Sequence, residues 1–375
     1  AYREALDAAT GDSTLLHARL ARAALMAGDL PTAAAALEGV EASEGSDGAE
    51  VLLVQGHLAY FTGDYETARR VAEQARLQVL GGNWQALDLM SLQGLLAHQR
   101  GEWFDRIRLE LRNTSLTPEV ANAIFDGYLC PAEYLLYGST PYGDVIQLAR
   151  AMQATAEKSG ALRAVAFARA LVGESALLSG DLELASTELV EAAELHHVLG
   201  SGAGEAHCLQ RLAEVRLAQG DSAEARRLLD QALPLARWSM IAMHLIQRIY
   251  GTMISAAPDA ATARAIVDRA ESTMGTEDSC EFCGIMLALP AMIACARTGD
   301  LERAAYYSEV ARKSSQLWEG TSWRAAFDEA QAHVTIAEGG DAIPFLDGAI
   351  QGFERAGQPI DVARATAFRA ELLPA

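Results

Sequence analysis

GHLAYFTGDYETARRVAEQA, residues Gly56–Ala75, reads as two short helices folded back on each other. Gly56 sits inside one apolar-periodic helix, Gly63-Asp64 breaks it, and Tyr65, Ala68, Ala72 and Ala75 follow at three- and four-residue spacing along a second. Small residues at Gly56 and Ala68 let the two antiparallel helices approach closely, and Gly63 supplies the left-handed turn between them. Neither helix buries its apolar stripe alone, so the hairpin requires neighbours on both sides.

The same break recurs along the chain, at Gly28-Asp29, Gly63-Asp64, Gly101-Glu102, Gly143-Asp144, Gly180-Asp181, Gly220-Asp221, Pro258-Asp259, Gly299-Asp300 and Gly340-Asp341, with separations of 35 to 42 residues. Seven residues before the break many copies carry a small residue, as at Ala21, Gly56, Gly94, Gly173, Ala213 and Gly251. Five after it comes Ala33, Ala68, Ala185, Ala225, Ala263 or Ala304. A fixed period of this length is the mark of a helical solenoid, here an all-α superhelix of about nine hairpins with right-handed curvature. The spacing places units at 13–40, 48–80, 86–115, 118–158, 161–199, 203–236, 239–274, 279–316 and 322–356, with a last helix over 359–373.

This pattern resembles the tetratricopeptide repeat across almost the whole chain, although the proline that usually ends that repeat is largely missing and the periods exceed its usual length of about 34 residues. The longer, alanine-rich units look more like the helical sensor arms of large ATP-binding LuxR-type and maltose-activator-like regulators and of actinobacterial antibiotic-regulatory proteins. Phe353–Leu373, FERAGQPIDVARATAFRAELL, is similar to the last repeat of such arms. The resemblance implies a non-catalytic arm of a multidomain transcription regulator that takes a small inducer or a protein partner on its concave face. The competing reading is a stand-alone scaffold that binds peptide segments.

Composition agrees with a solenoid. Half of the 375 residues are hydrophobic but only 6% are aromatic, which suits many small helix–helix contacts over one large core. A solenoid grows by addition, so the length is expected to form one domain over 1–375, cut from a larger protein. Ala1–Ala9 reads as the second helix of a repeat whose first helix is missing. The net charge of −20, from 50 acidic and 30 basic residues, repels phosphate backbones, so this segment is expected not to bind DNA or RNA directly. No run of 18 apolar residues and no apolar leader occurs, so neither a membrane nor secretion is expected, and five cysteines in such a length fit a reduced cytoplasmic setting. Self-association stays open.

Catalytic motifs are scarce, and an enzyme is not expected. There is no GxxxxGK[ST] loop. Gly200–Gly204, GSGAG, looks like a dinucleotide loop but follows a helix and has the wrong last spacing. Cys280-Glu281-Phe282-Cys283 is a C-x-x-C whose metal site would need two more ligands; no second pair exists and Cys295 lies some three helical turns on. The two cysteines are therefore expected to be packed helix-start residues, with no metal, no cofactor and a melting temperature indifferent to chelators. His196 and His197 point about 100° apart on a helix and do not converge.

A distributed groove is the stronger candidate. In tetratricopeptide superhelices the first helix of each hairpin lines the concave face. Counted from the small residue of each unit, that face takes His57 and Tyr60 from the second, Asp88, Ser91 and His98 from the third, and Glu133 and Tyr137 from the fourth. The fifth gives Glu174, the sixth His207, Gln210 and Glu214, and the seventh Arg248 and Thr252. Mixed polar and aromatic residues suit a neutral polar ligand or a peptide. Arg248 is placed to balance Glu174 and Glu214, in a wet groove where its loss leaves stability unchanged. Trp238 and Met240 mark the expected apolar end.

Overall fold

The computed structural model describes residues 2–9, 11–26, 28–79, 84–100, 132–237, 239, 242–274 and 280–373. Its helices are α1 (Tyr2–Ala8), α2 (Thr14–Met26), α3 (Leu30–Leu37), α4 (Ser46–Phe61), α5 (Tyr65–Gln78), α6 (Trp84–Arg100), α7 (Tyr142–Ser159), α8 (Leu162–Ser179) and α9 (Leu182–Val198). They continue as α10 (Gly202–Ala218), α11 (Ser222–Ala236), α12 (Ala242–Ser255), α13 (Ala260–Met274), α14 (Gly284–Arg297), α15 (Leu301–Gln316), α16 (Ser322–Ala337), α17 (Ile343–Ala356) and α18 (Pro359–Glu371). No strand occurs among the described residues, and the fold is an all-α, tetratricopeptide-like solenoid. Seven hairpins are described in full: α2–α3, α4–α5, α8–α9, α10–α11, α12–α13, α14–α15 and α16–α17. Gly101-Glu102 lies outside the described residues, as do Trp238 and Met240. Among the described residues no helix is long and apolar enough to cross a membrane.

The Gly-Asp signal works through two local bonds. Gly28, Gly63, Gly180, Gly220 and Gly299 have φ between +73° and +90°, a conformation that costs glycine nothing. The aspartates that follow cap the next helix: Asp29, Asp64, Asp181, Asp221 and Asp300 each accept the backbone N–H three residues on, at 3.0–3.2 Å. Asp259, after proline instead of glycine, does the same with Thr262 at 2.7 Å. Two breaks sit elsewhere than the spacing predicts. Gly143-Asp144 falls inside the first turn of α7, and the chain turns earlier, over 137–141. In the ninth unit the left-handed residue is Gly339, and Asp341 caps from two residues back.

Small residues mark close approaches, though not always to the helix expected. A Cβ at Gly56 would meet Leu92 Cδ2 of α6 at 2.5 Å, so this glycine fits the next repeat more tightly than its own hairpin partner. Gly251 is tighter still, 2.0 Å from the Met286 carbonyl oxygen of α14. Gly173 keeps the expected role, against Leu189 of α9. The glycines of Gly200–Gly204 form a turn and the first turn of α10, and a Cβ at Gly204 would overlap the His196 ring at 2.4 Å. They serve packing.

His196, wholly buried under Gly204, makes stability depend on pH. Burial, reinforced by His207 and Arg163, pushes its pKa down to about 3 from 6.5. Between those values the unfolded chain holds a proton that the folded chain does not, so stability falls as pH drops below about 6.5. The slope from this one group is about 1.4 kcal/mol per pH unit. Urea denaturation at pH 7.5 and 5.0 should show the loss, and His196→Phe should flatten it; an unchanged slope in that variant would place the titrating group elsewhere.

From residue 132 on, the solenoid bends until it meets itself. The inner helices α8, α10, α12, α14 and α16 pack in sequence, and α18 packs back on α8. At the seam the Gly320 N–H donates to the Tyr137 carbonyl (3.2 Å) and Gln358 Nε2 donates to the Tyr142 hydroxyl (2.8 Å). A Cβ at Gly320 would lie 2.2 Å from that carbonyl oxygen, so only glycine lets the two backbones touch. Trp318, 2% exposed, stacks on Tyr134 at 4.9 Å and meets Phe282 and Tyr137 edge-on. The turn over 137–141 begins at this seam.

A candidate ligand groove over a buried charge cluster

The inner helices and α18 line a half-open groove of about 940 Å³. Its walls carry Glu214, Arg297, Glu329, Asp361 and Arg364 among apolar side chains that include Leu289, Ile293, Trp323 and Phe353. Arg364 reaches both Glu329 and Asp361, so the α16 and α18 walls are tied by an ion-pair triad.

Beneath the floor lies a knot of buried charge. Arg211 of α10 is its hub: Nε donates to Glu174 Oε2 (2.7 Å), Nη1 to Glu214 Oε2 (2.7 Å) and the Tyr137 hydroxyl (3.2 Å), and Nη2 to both Glu133 oxygens (3.2 Å). Arg248 of α12 pairs with Glu133 Oε1 at 2.7 Å and donates to His207 Nδ1 at 3.1 Å. Its Nε and Nη2 face Met286 Sδ at 3.3 and 3.2 Å. A guanidinium only donates, so His207 Nδ1 accepts, and its Nε2 lies 2.9 Å from Glu174 Oε1. Gln210 Nε2 joins Glu214 Oε1 (2.7 Å) to Thr252 Oγ1 (2.8 Å).

The charges balance through geometry. Burial works to raise the Glu174 pKa, but His207, Arg211 and Arg248 outweigh it and hold the carboxylate well below its usual range. Burial pushes the Tyr137 hydroxyl well above the tyrosine range, so neither group exchanges a proton near neutral pH. Ligand atoms of Glu133, Glu174 and His207 lie within 4.8 Å of one another, as metal ligands would. Two guanidinium groups already hold these carboxylates, and a divalent ion there would sit against both positive charges. The cluster is an ion-pair knot.

No family model matches the chain, and no curated protein matches it. Among solved structures, the chain is similar to a Rap protein complexed with competence and sporulation factor, at 11% identity and a TM-score of 0.47, covering 96% of this chain and 97% of that one. A circular tandem repeat protein with novel repeat topology and enhanced subunit contact surfaces gives 16% identity and a TM-score of 0.20, over 96% and 94%. Neither likeness is close enough to bear on function.

Of the residues expected on the concave face, Glu133, Tyr137, Glu174, His207, Gln210, Glu214 and Arg248 meet in one network, with Tyr137, Glu214 and Arg248 reaching the groove. His57 and Asp88 belong to a second cluster: Arg22 bridges Glu50 (2.9 Å) and Asp88 (2.8 Å), and His57 Nε2 lies 3.7 Å from Asp88. Tyr60 packs edge-on against Phe61 and Tyr65 around the α4–α5 turn, and Ser91 is half-buried on α6. The His98 side chain lies outside the described residues. The wet groove expected around Arg248 is corrected: Arg248 is 5% exposed and His207 and Gln210 are fully buried, because long side chains from successive inner helices seal one another. Sequence reasoning missed Arg211, which lies two residues before Ala213 and so off the five-position pattern. Three glutamates at groove positions with one arginine among them were the available signal for a second cation.

Proposed function

We propose that the chain is a non-catalytic sensing and interaction arm whose concave groove takes a short peptide or an amphipathic small molecule. The observation that carries this reading is the groove itself, about 940 Å³ with paired charges set among apolar walls. That volume lies in the range of small-molecule sites, and the mixed lining suits a guest with both polar and apolar faces. In the finer reading the arm belongs to a multidomain transcription regulator, and a guest bridging α10, α12 and α18 biases the ring between a closed and a sprung seam. The similarity of Phe353–Leu373 to the last repeat of such arms supports it, since this segment holds Gln358 and Arg364. A guest acts this way only if it binds the two states unequally. A stand-alone peptide-binding scaffold remains the second reading; an ATPase module and a basic helix-turn-helix in the same reading frame separate the two.

Ser255, exposed on the groove wall, allows a test that leaves the buried knot intact. Pooled fluorescent hexapeptides and a panel of amphipathic carboxylates and amines serve as probes. A true guest at a hundred times its Kd stabilises the chain by about 2.7 kcal/mol. Ser255→Trp should obstruct the groove, reduce or abolish that shift and keep the parent melting temperature. No shift with any probe, or the same shift in Ser255→Trp, would overturn the groove as the site.

A further inference from the structure

The C-x-x-C motif looks ligand-poor only along the chain. In the fold, the imidazole of His244 in the first turn of α12 comes beside the thiols of Cys280 and Cys283 at the entry to α14, and the three ligand atoms lie within 4.8 Å of one another. His244 Nδ1 is 3.2 Å from Cys283 Sγ. Neither cysteine is in a disulfide. We infer that His244, Cys280 and Cys283 form a site for a thiophilic divalent metal ion, zinc above all, with the fourth position left to water or to a group brought by a partner. Two thiolates and one imidazole at this spacing are a donor set that zinc favours over hard cations. This inference is independent of what the groove binds.

The surroundings hold these groups in place before any ion arrives. The Gly284 N–H donates to the Cys280 carbonyl at 2.8 Å and closes the turn that brings both cysteines to one side. The Ser314 hydroxyl donates to the Phe282 carbonyl at 2.9 Å, and the Phe282 ring is anchored between Tyr134 and Trp318 at the seam. Across from it, the close approach at Gly251 sets the spacing of α12 and α14. A preset ligand turn costs less ordering on binding than a flexible one. Binding would release the two thiol protons and fasten consecutive repeats to each other.

The site also touches the charge knot. His244 and Arg248 share one face of α12, four residues apart, and Cys283 caps the start of α14, three residues before Met286. Arg248 contacts Met286 directly. Metal at His244 therefore fixes the helix pair that presents Arg248 to the groove. This inference departs from the expectation of indifference to chelators, which counted only ligands near in sequence.

The test uses the full chain, reduced, stripped of metal and held under anaerobic conditions with a non-thiol reductant. Cobalt(II) should bind at one equivalent with a sulfur-to-metal charge-transfer band and tetrahedral visible absorption, and zinc should displace it and raise the melting temperature. Cys280→Ser and Cys283→Ser should lose the band, while Cys295→Ser keeps it. His244→Ala should weaken zinc by at least about tenfold, a loss that outer-sphere changes alone can reach. His244→Cys, which restores a third ligand, should recover binding and decides the matter if the alanine variant fails to fold. A folded parent with no charge-transfer band, or a band that persists in both cysteine variants or at full strength in His244→Ala, would overturn the site.

Discussion

Arg211→Met is expected to destabilise the chain by about 3–5 kcal/mol, the range for removing one partner of a buried ion pair. Arg211 is 2% exposed, and its guanidinium meets Glu133, Glu174 and Glu214 while accompanying the Tyr137 hydroxyl. Without it, Arg248 alone faces the buried carboxylates of Glu133 and Glu174. The effect carries a pH signature. The Glu174 pKa is held below 4.5 in the folded state, so its contribution is present above that value and fades as pH falls through the folded pKa. The gap between parent and Arg211→Met should therefore narrow in acid, as the unpaired carboxylates take up protons. Urea curves at pH 7 and pH 4 measure it. A variant as stable as the parent at neutral pH would mean that water reaches the knot. Arg248→Ala should follow the same pattern, and its cost is a folding effect before it is a binding effect.

Trp318→Ala should cost about 3–5 kcal/mol, the usual range for truncating a buried tryptophan. Its ring fills the seam among Tyr134, Tyr137, Trp323 and Phe282, with centroids 4.9 to 6.1 Å away. Because a solenoid can open in parts, the loss should be largest where the ring closes. Hydrogen exchange should speed up in α16–α18 and α8 well before α2–α5. Uniform acceleration across the chain would mean that the seam does not hold the ring shut.

The fold was largely legible because a solenoid repeats its local chemistry. Gly63-Asp64 states the left-handed turn and the helix cap in two letters, and four other described copies do the same. The boundaries of the seven hairpins described in full follow within a few residues for that reason. What stayed hidden depends on contacts between repeats. Arg211 reaches Glu174 across 37 residues, Arg248 reaches His207 across 41, and His244 reaches Cys283 across 39. Each separation is one period, so ligand sets in such a chain are better sought one repeat away than in the next helical turn. The seam had no such signal: Gln358 meets Tyr142 across 216 residues, a distance set by accumulated curvature and by no local pattern.

That seam also orders events during biosynthesis. Hairpins built from neighbouring residues can fold as each leaves the ribosome, because their contacts are short in sequence. The surface around Tyr134 and Tyr137 cannot be covered until Trp318 has been made, nor Tyr142 secured until Gln358 has. For the synthesis of some 180 residues the nascent chain therefore carries an exposed aromatic patch. A polypeptide-binding chaperone should be held on ribosome-bound chains from which Trp318 has not yet emerged and released once Gln358 has left the exit tunnel.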